Sequence, residues 1–251
     1  MQKQSKGGDR HVKNIIVISI ILLLMIFIVS SLLLLKKAHE YNDANNSVEK
    51  LIEDIIEENT DEENKKAPNI DWIGLKEINE DIIGWIKIED TNVNYPILRT
   101  NSLYYLKHTY DKKYNSNGSI FTLNLNPFEN ELTTIYGHNM RNDIMFSELS
   151  KYLNKDFFYE HKNFEIYTEK FNYKATVFSC YSIDLNIEEN NIKELDFNEE
   201  IEYYKESSVY KIGDIENIEK IVKLCTCSYL NTNRRPTNKR YYIVAKIEII
   251  E

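Results

Sequence analysis

Glycine and proline are scarce in this chain, seven and four among 251 residues. No glycine-rich loop of the kind that cradles nucleotide phosphates is present, and no low-complexity tract or internal repeat interrupts the sequence. Positive charge is also in short supply. Lys and Arg total 31 against 40 Asp and Glu, for a net charge of -9. Four of those cations, Lys3, Lys6, Arg10 and Lys13, face only Asp9 in the first 14 residues, so the remainder carries -12. That balance excludes a nucleic-acid partner, because phosphate binding needs a basic surface. Cysteine is rarer still: Cys180, Cys225 and Cys227 complete the set. Whatever disulfide forms, one thiol is left over, and in an exported protein such a thiol is a candidate for reactivity.

One apolar run stands out against this polar background. Ile15 to Leu35, IIVISIILLLMIFIVSSLLLL, is 21 residues with three serines and no charge, the length at which a helix crosses a bilayer. The basic residues upstream and the early acidic residues downstream (Glu40, Asp43, Glu49) place the N-terminus in the cytoplasm and the rest outside the cell. A cleavable signal peptide is the rival reading. It would carry a shorter apolar core of about 7–15 residues and a small-residue cleavage site, and LLLLKKAHEYND offers neither. The expected map is a cytoplasmic tail over 1–14, a membrane anchor over 15–35, a stalk over 36–69 and a globular domain over 70–251.

The stalk contains NSVEKLIEDIIEEN, in which Val48, Leu51, Ile52, Ile55 and Ile56 fall on one helix face and Asn46 with Glu49 form a capping-box pattern. This predicts a short amphipathic helix that packs on the domain or pairs with another chain. From Trp72 onward short stretches rich in Ile, Val, Tyr, Phe and Thr alternate with Asn, Asp and Gly turns. GWIKIEDTNVNYPIL reads as two strands about Asp90 and Thr91, Asn117-Gly118 as a turn before SIFTL, and ELTTIYGH as a strand that delivers His138. MFSELSKYL reads as a helix with Met145 or Phe146, Leu149 and Leu153 on one face. In YKATVFSCYSI, Tyr173, Ala175, Val177, Ser179 and Tyr181 are expected on one side of a strand. An acidic helical excursion over Ile187–Tyr210 precedes two closing strands, IEKIVKLCTC and RYYIVAKIEII. The fold class is therefore mainly β with accessory helices, about eight strands in a closed or nearly closed barrel.

A cysteine nucleophile needs a thiolate, a neighbouring base or cation, and a donor for the oxyanion formed on attack. Cys227 ends one strand, His138 ends another, and Arg240 opens the strand after the polar loop SYLNTNRRPTNK. A free cysteine is more often an inert small hydrophobe. The order His, Cys, Arg differs from papain-like enzymes, whose cysteine comes first within a C-G-S-C-W type signature.

These residues carry a family resemblance. Lys223-Leu224-Cys225-Thr226-Cys227 matches the T-L-x-T-C motif of the sortases at Leu, Thr and Cys, with Lys223 in place of the leading Thr. Thr134 to Tyr152, TIYGHNMRNDIMFSELSKY, resembles the Y-G-H-N-M histidine segment of class B sortases. NEDIIGWIKIEDTNVNYPIL, SLYYL, NGSIFTL and RYYIVAKI are also similar to class B sequence, so the resemblance covers roughly Ile70 to the C-terminus. It implies the sortase-type eight-stranded barrel and a membrane-anchored cysteine transpeptidase. Cys227 is then the nucleophile, His138 the acid/base and Arg240 the oxyanion or substrate-orienting group, with Arg234 and Arg235 as rivals to Arg240. Leu106, Tyr136, Cys225 and Thr226 would line the substrate groove. The implied partners are secreted proteins bearing a C-terminal N-P-x-T-N-like or S/P-P-x-T-G-like sorting signal, and a peptidoglycan precursor or other amine acceptor. No cofactor or metal is implied.

Three rival readings stand beside it. Cys225 and Cys227 share a strand face and with Cys180 and His138 would make a zinc set, although structural zinc sites favour C-x₂₋₄-C spacing. L,D-transpeptidases resemble S-x-G-C-x-R at their cysteine, which LCTCSY does not fit. A catalytically idle, membrane-tethered adhesion or scaffold domain on the same barrel is the third.

Overall fold

The computed structural model describes residues 5–57, 67–140, 143–213, 215–230 and 237–250. The chain divides into two units, Met1–Asn46 and Ser47–Glu251. Helix α1 (Ser5–Ile55) supplies the first of them and the opening turns of the second. Its segment Val12–His39 is apolar, solvent-exposed and long enough to cross a membrane. The expected capping box at Asn46 is not used, since Asn46 lies inside this helix. Nothing between Leu35 and Asn46 is glycine or proline, and Asn or Asp costs a helix only tenths of a kcal/mol, up to about 0.7. Within the second unit Val48, Leu51 and Ile55 are buried, so the amphipathic face packs on the domain, the first of the two expected arrangements. Beyond α1, the two-residue strands β1 (Ile56–Glu57) and β2 (Asn69–Ile70) pair, and α2 (Trp72–Ile78) follows, capped by the Asp71 side chain.

Eight strands close a barrel. In chain order they are β3 (Ile82–Lys87), β4 (Asn94–Arg99), β5 (Ile120–Thr122), β6 (Leu132–Tyr136), β7 (Asn163–Tyr167), β8 (Asn172–Asp184), β9 (Ile221–Cys227) and β10 (Lys239–Ile250). Around the barrel the order is β10-β8-β7-β3-β4-β5-β6-β9, returning to β10. The β4–β5 and β6–β9 pairs are parallel and the remainder antiparallel. Inside lie Ile86, Ile97, Ile135, Phe164, Ile166, Val177, Val222, Leu224 and Ile243, each worth about 1.5–3 kcal/mol on burial. Outside, Phe178, Tyr181, Ile221, Cys225, Tyr242 and Val244 form a second apolar layer with Tyr204. That layer is covered by α4 (Leu185–Ile192) and α5 (Phe197–Ser207), which divide the expected acidic excursion into two helices. Asp184 caps the first, and Asp196 with Glu199 makes a capping box on the second.

Two expectations about local structure need correction. MFSELSKYL is not an α-helix: Ser147–Leu153 forms a 3-10 helix that buries Glu148, Leu149 and Tyr152, and the α-helix α3 (Lys155–Glu160) begins only after the Asn154 cap. The buried Glu148 accepts from the Asn92 amide at 2.5 Å, which draws this segment against the β3–β4 turn. The simple alternation in β8 also fails. Tyr173, Ala175 and Val177 face the interior, but so does Cys180, while Phe178 and Tyr181 face out. The register with β10 slips between Val244 and Ala245, which pair with Ser179 and Val177 and leave Phe178 as the extra residue of a bulge. That slip turns Tyr181 toward the outer layer.

Candidate active site

The parallel β6–β9 pair carries the two ends that matter. Tyr136 pairs with Cys225, and two more residues along each chain are His138 and Cys227. Three hydrogen bonds stitch these ends together: Gly137 N to Cys225 O at 3.1 Å, Thr226 Oγ1 to Gly137 O at 2.8 Å and Asn139 Nδ2 to Cys227 O at 2.7 Å. Gly137 has no room for a side chain, because a Cβ would come within 2.5 Å of Ile120 Cδ1 and 2.7 Å of Phe146. The Phe146 amide donates to His138 O at 2.9 Å, fixing the histidine backbone from the other side. Asn139 was not singled out from the sequence, although it is the N of the Y-G-H-N-M segment.

His138 Nε2 lies 2.8 Å from Leu106 O. A carbonyl oxygen only accepts, so Nε2 carries a proton and Nδ1 is the nitrogen left for proton transfer. The carbonyl is placed by a turn at Gly118, whose φ of +61° suits glycine and where a Cβ would meet Leu106 O at 2.7 Å. Leu106 thus reaches the site through its backbone.

On the other flank β10 runs antiparallel to β9 with Arg240 directly opposite Cys227. Cross-strand partners of this kind hold their Cβ atoms about 4.5–5.5 Å apart. The guanidinium is held by Nη1, which donates to Thr237 O and Lys239 O at 2.9 Å each. Arg234 and Arg235 lie outside the described residues. Cys227, His138 and Arg240 therefore occupy the ends of three adjacent strands, and all three are partly exposed.

Of the other sequence candidates, Cys225 and Thr226 sit deeper. Cys225 is buried beneath this row, and burial pushes its thiol up to about 12 despite the opposing pull of Arg240 and Lys223. Tyr136 is partly exposed, and burial of its hydroxyl with Cys225 nearby pushes it up to about 12. Thr226 is buried, its hydroxyl committed to Gly137. Cys180 is inside the barrel, bonded to Tyr152 O at 3.3 Å, and burial raises its thiol to about 12. The sheet separates it from Cys225 and Cys227, so the zinc set imagined from sequence is not assembled, and all three cysteines are free. A thiol reagent at pH 8 is therefore expected to modify one cysteine, Cys227, in the folded protein and all three after unfolding. Mass spectrometry of the alkylated chain reads this, and rapid modification of Cys225 in the folded state would contradict its burial.

The likeness to known proteins follows the same lines. The family model for the sortase domain matches residues 86–248, from β3 through β10. Sortase B of Listeria monocytogenes is 36% identical over 160 residues, 61% of this chain and 65% of that protein. Sortase B of Staphylococcus aureus is 33% identical over 186 residues, 69% of this chain and 72% of that protein. The solved Staphylococcus aureus sortase B–substrate complex superposes with a TM-score of 0.63 at 30% identity, covering 72% of this chain and 85% of that one. With a closed barrel of the same kind and a cysteine, histidine and arginine at three neighbouring strand ends, the chain belongs to the sortase family, and within it to class B.

Proposed function

We propose that this protein is a membrane-anchored cysteine transpeptidase that joins secreted proteins to a cell-wall amine. The observation that carries the reading is Cys227 standing opposite Arg240 on paired strands, beside the strand end that bears His138. The Cys227 thiolate attacks the Thr carbonyl carbon of a sorting signal, and Arg240 donates charge-assisted hydrogen bonds to the oxyanion or the peptide. The C–N bond breaks as protonated His138 gives its Nδ1 proton to the leaving amine, with Nε2–H kept on Leu106 O. In the second step an amine attacks the thioester, its proton passes to Nδ1, and the C–S bond breaks to return the thiolate. Tyr136 and Leu106 border the groove, and Cys225 and Thr226 support its floor.

The partners follow from the relatives. One solved sortase B holds a substrate and another holds triglycine, which supports a peptide donor and an amine acceptor here. The exposed apolar segment Val12–His39 supports a single span, with residues 1–14 in the cytoplasm and the unit Ser47–Glu251, which takes in the end of the expected stalk as well as 70–251, outside the cell.

The full-length chain in detergent, given quenched peptides containing Asn-Pro-Ala-Thr-Asn or Ser-Pro-Ala-Thr-Gly, is expected to cleave one of them after Thr. With triglycine added, mass spectrometry should find the ligated product. Failure to cleave either peptide, or cleavage at another bond, would overturn the proposal.

A further inference from the structure

Lys223 stands where the sortase motif has threonine, and its side chain is 6% exposed. It shares the outer face of β9 with Cys225 and Cys227, since Val222 and Leu224 point inward. Its Nζ lies 3.4 Å from Glu188 Oε1, itself 2% exposed, and donates to Tyr204 OH at 3.2 Å. It also sits 4.9 Å over the Tyr204 ring and 5.0 Å over the Tyr242 ring. Glu188 accepts further bonds from Tyr181 OH at 2.6 Å and Tyr203 OH at 2.8 Å. Side chains from α4, α5, β8, β9 and β10 thus converge on one buried charge pair. Taking two ions out of water is costly, and a pair retained at such cost is a better device for placing elements than for adding stability.

What it places is α4. This helix starts at Leu185, one residue past the end of β8, where Asp184 and Ile183 pair with Lys239 and Arg240. Arg240 in turn lies opposite Cys227, so the helix leaves the barrel beside the catalytic row. From there Glu188 reaches back to Lys223 on the outer face of β9, two residues before Cys225 and four before Cys227.

We propose that Glu188 and Lys223 are positioning residues whose ion pair sets the stand-off of α4 and so the fit of the sorting signal in the groove. The proposal rests on the transpeptidase reading. Its test uses the full-length chain in detergent with Glu188→Gln, Lys223→Met and the double substitution. Each single variant is expected to raise KM for the cleaved quenched peptide by about tenfold, with kcat within about threefold of the parent. Alkylation of Cys227 by iodoacetamide should be unchanged, while amides over 185–192 exchange faster. The double variant should be no worse than the poorer single, because the two act as a unit. Unchanged KM and exchange, a loss carried by kcat instead of KM, or strictly multiplicative effects in the double variant would overturn it. Should a single variant fail to fold, the double variant, which leaves no unpaired charge, decides alone: parental KM and exchange refute the proposal. A parent that cleaves neither peptide refutes the transpeptidase reading, and amide exchange over 185–192 then judges the positioning role separately.

Discussion

The Cys227→Ala variant is expected to lose about 10⁴-fold or more in peptide cleavage while melting with the parent. Removing a nucleophile removes the covalent route, and what survives is only the contribution of binding and oxyanion donors. Cys227 is partly exposed at a strand end, so truncating it opens no cavity, and Tm should move by no more than about 2 °C. Cys225→Ser makes the control. That thiol is buried, and burial pushes it up to about 12, so it is protonated at working pH and serves as packing. The variant should keep most of its activity and lose about 1 kcal/mol of stability for a hydroxyl placed in an apolar layer. Steady-state cleavage and thermal melts read both; a Cys225→Ser variant as dead as Cys227→Ala would show that both sulfurs take part in the chemistry.

The second large effect is expected at Arg240. Arg240→Ala should reduce kcat by about 10²–10³-fold, the usual consequence of deleting one donor to a developing oxyanion. Lysine should restore little, because a single ammonium cannot both anchor on Thr237 and Lys239 carbonyls and reach across to the substrate as a planar fork does. Arg234→Ala and Arg235→Ala should stay within about threefold of the parent. A large loss at either of these, with Arg240→Ala near parental, would move the role into the loop between β9 and β10. Single-turnover acylation followed by mass spectrometry separates a chemical defect from weak binding.

Much of this arrangement was legible before any coordinates. Short β-rich stretches with Asn and Gly turns announced the barrel, and the strand ends expected at His138, Cys227 and Arg240 do lie side by side, because strand termini are where a barrel can present side chains to solvent. What stayed hidden depended on long-range packing. The bulge at Phe178 has no marker in YKATVFSCYSI, yet it moves Cys180 inward and Tyr181 outward. The Lys223–Glu188 pair joins residues 35 positions apart and looked like a motif mismatch and one more acid in an acidic stretch. The Leu106 carbonyl belongs to a backbone group, which residue identity cannot reveal. The single continuous α1 was missed because Asn and Asp near residues 42–46 resemble a helix boundary when neighbouring turns are not considered.

The parallel pairing of β6 with β9 has a consequence for when the protein becomes reactive. Its partners are far apart in sequence, as the Thr226–Gly137 bond across 89 residues illustrates, and contacts of that separation carry a loop-closure cost that makes them slow to form. Until the barrel shuts, His138 and Cys227 belong to unconnected stretches of chain, and the thiol has no proton partner. On the proposed mechanism a chain with an open barrel is thus chemically quiet, and the proposed transfer starts only with topological completion. In a refolding experiment, recovery of cleavage should trail the recovery of far-ultraviolet secondary-structure signal and coincide with protection of the β6 and β9 amides.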